Sequence, residues 1–422
     1  MGAGPAGSTA AGAVARAGAS VVILDRATFP RDKPCGGGVT WRAARLLPFS
    51  LDPVVERVVH GLELGLSYRS RFRRRTRSAL IYMTQRRNLD AFLAERAVKA
   101  GAEFRDGVKV ARLEEDPEGV TVTTDSGSVR AQLVVGADGV NGVTARALGL
   151  ADGREFCVAL EGNVANGALG RSYDPSSAVL ELAVLPGGYG WIFPKGDHAN
   201  VGVAGWTSEG PRLRAHLERL VTHHGLTMEQ VEGLRGYRLP MRAAGAPLVQ
   251  GRALLAGDAA GLIDPLSGDG IHGAVTSGTL AAEAALEKLD GDAGALERYP
   301  TALTRTLGPL CTASWGWKAA FDRFPRLSYA ITRVPLAWPV IVRLIRGDLH
   351  DPETAAGRDS IPVRLLALLG KASGDPGGPY RDELATARGG RPGRRQPRGV
   401  GTSSPAGDLV RDDVEPMAQL PT

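Results

Sequence analysis

The tightest constraint in this 422-residue sequence is its opening run, Gly2-Ala3-Gly4-Pro5-Ala6-Gly7, which has the spacing G-x-G-x-x-G. At that spacing the first glycine makes a tight turn. The second lets backbone approach a pyrophosphate, and the third lets a helix close on a strand. The following residues supply that context. Ser8 to Gly18 reads as a small-residue helix ended by Gly18, whose N-terminus offers N–H groups and a favourable dipole to an anion. Val21-Val22-Ile23-Leu24 is a continuous apolar run, as in a strand buried on both faces of a parallel sheet. Asp25 ends it, 18 residues after Gly7 (25 − 7), near the offset at which an acid accepts from a ribose hydroxyl.

The same pattern sets an expectation about the start. In a doubly wound sheet such a loop follows a central strand, and here only Met1 precedes it. The first strand is therefore expected to be missing, with Met1 a misplaced start and roughly 5–10 mostly apolar residues ahead of it. A relative that has lost its cofactor and acts as a binding protein is the non-enzymatic alternative.

Composition narrows the class. At 43% hydrophobic and 23% charged residues the chain reads as globular, long enough for about two domains. Cys35, Cys157 and Cys311 are too few and too scattered for a disulfide framework or a metal cluster, so no metal and a reducing, cytoplasmic setting are expected. No run approaches the ~20 apolar residues of a membrane span, and no cationic leader is seen. The net charge of +6 comes partly from Arg69, Arg71, Arg73, Arg74, Arg75 and Arg77. That run reads as a solvated strand face or loop, with anionic lipid as the sharper alternative. Nucleic acid is not expected, because stacking aromatics are absent beyond Phe72.

Along the chain, 88–100 reads as a helix and 103–136 as alternating strands. Residues from about 155 to 245 read as an inserted antiparallel sheet, and sheet sequence resumes at Ala253-Leu254-Leu255-Ala256 before a helix from Ile271 to about Leu289. Residues 295–370 read as helices broken by Pro325, Pro335 and Pro339, and the Gly-, Pro- and Arg-rich remainder from 371 as disordered. The expected class is α/β. A Rossmann-like dinucleotide domain is assembled from 1–60, 85–150 and 250–290, and a substrate-binding β domain from 61–84 and 151–249. A helical region spans 291–370 and a tail 371–422.

Two further segments specify the nucleotide. Val135-Gly136-Ala137-Asp138-Gly139 closes the first sheet portion, and Gly257-Asp258-Ala259-Ala260-Gly261 leads through Pro265, Gly268 and Gly270 into the helix at Ile271. Asp258 can accept from a ribityl or ribose hydroxyl. The glycines let backbone pass a flat ring, and the helix start presents N–H groups to the pyrimidine edge of a flavin, which takes up negative charge on reduction. With these residues the chain resembles the FAD-dependent oxidoreductases of the aromatic-hydroxylase fold, and within them the geranylgeranyl reductase family, over about residues 1 to 350. The most specific matches are Lys33-Pro34-Cys35-Gly36-Gly37-Gly38, Gly188-Tyr189-Gly190-Trp191-Ile192-Phe193-Pro194-Lys195 and Gly257 to Gly261. The resemblance implies that Arg86, in Arg86-Arg87-Asn88-Leu89-Asp90, lies near the FAD and that Val110 holds the adenine through its backbone. It also places Gly2, Gly4, Ala6, Gly7, Asp25, Cys35, Gly36, Gly38, Asp258, Gly270 and Ile271 on the cofactor.

Cys35 is flanked by Gly36, Gly37 and Gly38, so it can approach a planar ring. The resemblance places it beside the isoalloxazine and makes it the candidate catalytic residue; packing, tuning the flavin and protonating substrate stay open. Tyr189, Trp191 and Phe193 share one face of a strand. Either they fill a sheet core or, as the resemblance implies, they line a tunnel for an apolar chain.

The expected reaction is saturation of C=C bonds in a polyprenyl chain, geranylgeranyl or menaquinone-like, by hydride from reduced FAD. No second nucleotide loop is seen, so NAD(P)H or a redox partner protein is expected to supply electrons. The segment 324–346 carries apolar residues among arginines. It reads either as an ordinary capping subdomain or as a peripheral contact with the inner face of the membrane. An FAD-dependent aromatic monooxygenase using O2 is the alternative enzyme; a halogenase is disfavoured for want of a lysine in a suitable motif.

Overall fold

The computed structural model describes residues 1–150, 154–170, 173–242 and 245–374, with Glu383 and Ala387. Its architecture follows from how closely two helices approach. Pro5–Arg16 opens on a proline, which needs no hydrogen-bond acceptor at that position, and so starts three residues before the expected Ser8. Its partner, Gly270–Leu289, presents Ala274, Ser277, Gly278 and Ala281 as buried small residues. A Cβ added at Gly278 would lie 2.4 Å from the Ala6 carbonyl oxygen, so the backbones themselves are in contact.

Beside this pair run two parallel strand pairs. Val22–Leu24 lies on Glu103–Arg105, and Val134–Gly136 lies on Ala253–Leu255. Met1 and Gly2 occupy the gap between them. The Met1 amino group donates to Val135 O at 2.7 Å, Ala137 N donates to Met1 O at 2.8 Å, and Gly2 N donates to Leu24 O at 2.7 Å. A three-stranded meander (Val110–Asp116, Gly119–Thr124, Gly127–Ala131) projects from this unit.

The second layer is a seven-stranded sheet. From one edge to the other its order is Glu232–Arg242, Arg154–Ala165, His198–Trp206, Tyr189–Pro194, Ser177–Leu182, Gly61–Leu66 and Ser70–Arg75. It is antiparallel except at one pair, since Gly61–Leu66 arrives from the first unit and joins Ser177–Leu182 in parallel. The arginine run lies on the edge strand Ser70–Arg75. Arg71 reaches Glu63 and Glu181 at 3.2 and 3.1 Å, and Arg73 holds Glu63 at 2.8 Å, so buried carboxylates of neighbouring strands neutralise that face. Behind the sheet packs Leu213–His223, a helix with no counterpart in the sequence reading, which buries Leu217 and Leu220 completely.

Helix Ala295–Arg323 continues through Pro300 and Pro309. Pro325 opens the helix Pro325–Arg333, Pro335 falls in the break after it, and Pro339 sits in the first turn of Ala337–Arg346. The last described helix is Ser360–Ala372. The expected disordered tail lies, past residue 374, outside the described residues apart from Glu383 and Ala387.

Gly278→Val overpacks the contact between Gly270–Leu289 and Pro5–Arg16. The expected cost is about 1–3 kcal/mol, read as a lowered melting temperature; an unchanged melt contradicts the close approach.

Candidate functional site

A single cavity of about 1180 Å³ runs from the opening glycine loop to the C-terminal helices. At one end Gly2 takes φ +89°, where a Cβ would lie 2.3 Å from Ala137 O, and a Cβ at Gly7 would lie 1.9 Å from Gly2 O. Both glycines are therefore required by backbone contact. Gly4 differs: around it there is space, and the nearest atoms are the guanidinium nitrogens of Arg31 and Arg86, at 3.8 and 3.9 Å. No side chain caps the helix that follows. An uncapped helix start with two cations above it is a seat for an anion.

Asp25, expected to meet a ribose, lines this end and is buried. Its oxygens accept from Ala3 N at 2.7 Å and Ala27 N at 2.9 Å, which fixes the loop to the strand end. Arg86 is buried and bonds Asp90 through Nε and Nη2 at 2.8 and 2.7 Å. Burial works against its charge, but Asp90 outweighs burial and holds the guanidinium above its ordinary range. Arg31 contacts the same carboxylate at 2.8 Å, so Asp90 orients both cations. Val110 lines the wall with Val108 and Lys109.

In the middle, Asp258 sits opposite Lys33, 2.8 Å away, and accepts from the Tyr237 hydroxyl at 3.2 Å. Burial alone would raise this carboxyl, and Lys33 with Arg86 and Tyr237 brings it below its usual value. Asp269 caps the helix Gly270–Leu289, accepting from His272 N at 3.0 Å, and its charge is met by Arg42 at 3.0 Å and the Thr40 hydroxyl at 2.9 Å. Gly268, Gly270 and Ile271 line the cavity at this helix start.

The Cys35–Gly38 segment crosses the cavity between its two ends. Cys35 N donates to Glu161 Oε1 at 2.5 Å, and Gly37 N lies 3.4 Å from Cys35 Sγ. Lys195 Nζ donates to Gly36 O at 2.5 Å and Thr84 O at 2.6 Å. Gly36 lies against the Phe193 ring, where a Cβ would approach to 2.8 Å. Burial pushes the Glu161 carboxyl up to about 7, against the lowering pull of Cys35 N–H and Lys195, and pushes the Lys195 ammonium down to about 8. Glu161, Lys195, Lys33, Tyr237 and Arg31 escaped the sequence reading as site residues; Lys33 and Lys195 stood inside the quoted motifs, and single charges in strands leave no local signal.

Tyr189, Trp191 and Phe193 share one face and all line the cavity. Trp191 lies between the other two, its Nε1 donates to Asn200 at 2.7 Å, and its indole fits over Gly202, where a Cβ would clash at 2.2 Å. Tyr189 donates to Ser267 O at 2.5 Å. Beyond them the cavity becomes an arm walled by Leu62, Leu64, Leu180 and Leu182 from the sheet and by Ile341, Leu344 and Ile345 from the helices. The polar exceptions include Lys318, which donates to Gly187 O and lies 4.3 Å from the Trp206 ring, and Asp322, whose carboxyl burial raises.

A dinucleotide seat that continues past a glycine-rich loop into an apolar arm is the arrangement of an FAD-dependent oxidoreductase. The family model described as an FAD binding domain matches residues 1–302. Digeranylgeranylglycerophospholipid reductase 1 of Methanopyrus kandleri is 34% identical over 326 residues, covering 71% of this chain and 83% of that protein. The menaquinone reductase of Mycolicibacterium smegmatis is 34% identical over 306 residues, covering 67% and 74%. A geranylgeranyl bacteriochlorophyll reductase-like structure from Thermoplasma acidophilum superposes with a TM-score of 0.73 at 23% identity, over 87% of this chain and 97% of that one. The chain belongs to the geranylgeranyl reductase family of FAD-dependent oxidoreductases.

Two outcomes are expected. Asp258→Ala leaves Lys33 unpaired and removes an acceptor, so FAD retention on purification falls; full occupancy contradicts the placement. For Glu161, a folded value of about 7 against an ordinary 4.5 means that its contribution to stability is full below pH 4.5 and lost as pH rises through 7. Glu161→Gln therefore melts higher than the wild type above pH 7, and the difference closes toward pH 4.5; a difference that grows on acidification contradicts the shift.

Proposed function

We propose that this enzyme saturates C=C bonds in a polyprenyl chain, carried on a lipid or a quinone, at the junction between its dinucleotide seat and its apolar arm. The observation that carries this reading is the continuity of the cavity: the glycine loop, Cys35 and the aliphatic arm line one space. When bound and reduced, FAD supplies the hydride. Gly2, Gly4 and Ala6 with Arg31 and Arg86 hold the pyrophosphate, with Gly7 packed behind them on Gly2, and Asp25 and Val110 hold the adenosine end. Asp258 takes the ribityl or ribose hydroxyls. Cys35, Gly36, Gly38, Gly270 and Ile271 border the ring.

An isolated alkene is a poor electrophile, so the protein has to align it, exclude water and supply one proton. Alignment falls to the arm and to Tyr189, Trp191 and Phe193. Cys35 and Glu161 are the groups at the ring end that can hold a proton, and Glu161 takes one near neutral pH. NAD(P)H or a redox partner protein would supply the electrons.

The test is anaerobic. Purified enzyme with chemically reduced flavin is given a polyprenyl quinone or a geranylgeranylated lipid, and saturated product is sought by mass spectrometry. Product formed without O2 is expected; product formed only with O2 overturns the reading in favour of a monooxygenase. Leu64 and Leu180 are register partners on adjacent strands of the arm. Leu180→Trp is therefore expected to lower kcat/KM for long chains roughly tenfold, the scale of a few lost methylene contacts, and to spare short ones.

A further inference from the structure

The helices that close the apolar arm turn a second face outward. In Ser360–Ala372, Pro362, Val363 and Leu366 line the cavity, while Ile361, Leu365 and Leu368 are 48%, 44% and 60% exposed. Steps of four and three residues put those three on one helix face. Pro325–Arg333 packs beside it and divides in the same way. Ile331 lines the cavity, Leu327 is 56% exposed, and Val334, just past the helix end, is 44% exposed. Among the described residues the other exposed large apolar side chains, Leu46, Val98 and Leu289, belong to separate elements.

The charge carried by these two helices has one sign. Neither helix contains an acidic residue, and Arg326, Arg333, Arg364 and Lys371 are exposed with no ion pair among the described residues. Within the segment 324–346, Tyr329 is buried, and Trp338, Ile341 and Ile345 pack inward on the sheet. Its outward apolar residues are Leu327 and Val334, and the larger share comes from Ser360–Ala372.

We infer that the outward faces of Pro325–Arg333 and Ser360–Ala372 form one docking surface for an anionic lipid membrane. Aliphatic side chains interspersed with cations, with no acid on either helix, match an acyl boundary beneath anionic headgroups better than a protein partner, whose surface would mix both signs. No described helix is long and apolar enough to cross a membrane, so the contact lies in the plane of the interface. The purpose of docking rests on the lipid-substrate reading. The docking itself does not, because it is measured without turnover.

The test uses the full chain with vesicles of phosphatidylcholine alone or mixed with phosphatidylglycerol, the bound fraction being read by flotation. Binding to the anionic vesicles is expected. Leu365→Glu with Leu368→Glu lowers partitioning roughly tenfold or more, and Arg333→Gln with Arg364→Gln removes the preference for anionic vesicles. Unchanged FAD retention and melting temperature establish that the variants are folded. Absence of wild-type binding, or equal binding by the Leu365→Glu/Leu368→Glu variant, overturns the inference. So does a lipid-free dimer broken by the same substitutions, which assigns the face to a second copy. Binding that emerges only when residues 375–422 are removed overturns it as well, by assigning the face to that segment.

Discussion

Everything at the site depends on the backbone contact between Pro5–Arg16 and Gly270–Leu289. One helix begins at the opening glycine loop and the other at the Gly268–Ile271 turn, so their approach sets the distance between the two walls of the cleft. Residues without side chains, or with only a methyl or hydroxymethyl group, allow it. The Gly257 amide ties to the Ser277 hydroxyl at 2.9 Å, which fixes the Asp258 loop to the second helix. A shift of either helix would move the anion seat relative to the ring wall.

The cleft holds charges that are buried or half-buried and mutually paired. Lys33 meets Asp258, Arg31 and Arg86 share Asp90, and Arg42 meets Asp269. Most of these pairs join segments distant in sequence, and each would be costly to break because an unpaired buried charge has no compensation. Their value here is positional: Asp90 stands behind the wall, and Arg31, Lys33, Arg42, Arg86, Asp258 and Asp269 are held at fixed points along the cavity.

What the sequence made legible follows from the range of the signal. The glycine loop, the strand Val22–Leu24 and the Gly270 helix start are written in adjacent residues, because turns, caps and buried parallel strands impose local composition. The alternation of Tyr189, Trp191 and Phe193 likewise placed three side chains on one wall. Glu161 and Lys195 were invisible as site residues because their roles come from neighbours over a hundred residues away. The counter-charges of the arginine run stayed hidden for the same reason: Glu63 and Glu181 sit on other strands. Ser360–Ala372 reads as one more helix until its two faces are seen to divide between cavity and solvent.

The contact between Gly36 and Phe193 has a consequence for how such enzymes diversify. The Cys35–Gly38 loop rests on an aromatic that also lines the cavity, and Lys195, two residues further on, grips the loop carbonyl. A change that widens the arm at Phe193 therefore also withdraws support from the loop at Cys35. The helical end of the cavity, where Val340, Leu344 and Val363 pack in a cluster of their own, is not tied to that loop in this way. A change of cavity shape is accommodated more easily among those helices than at the aromatic wall, where it would disturb two elements at once.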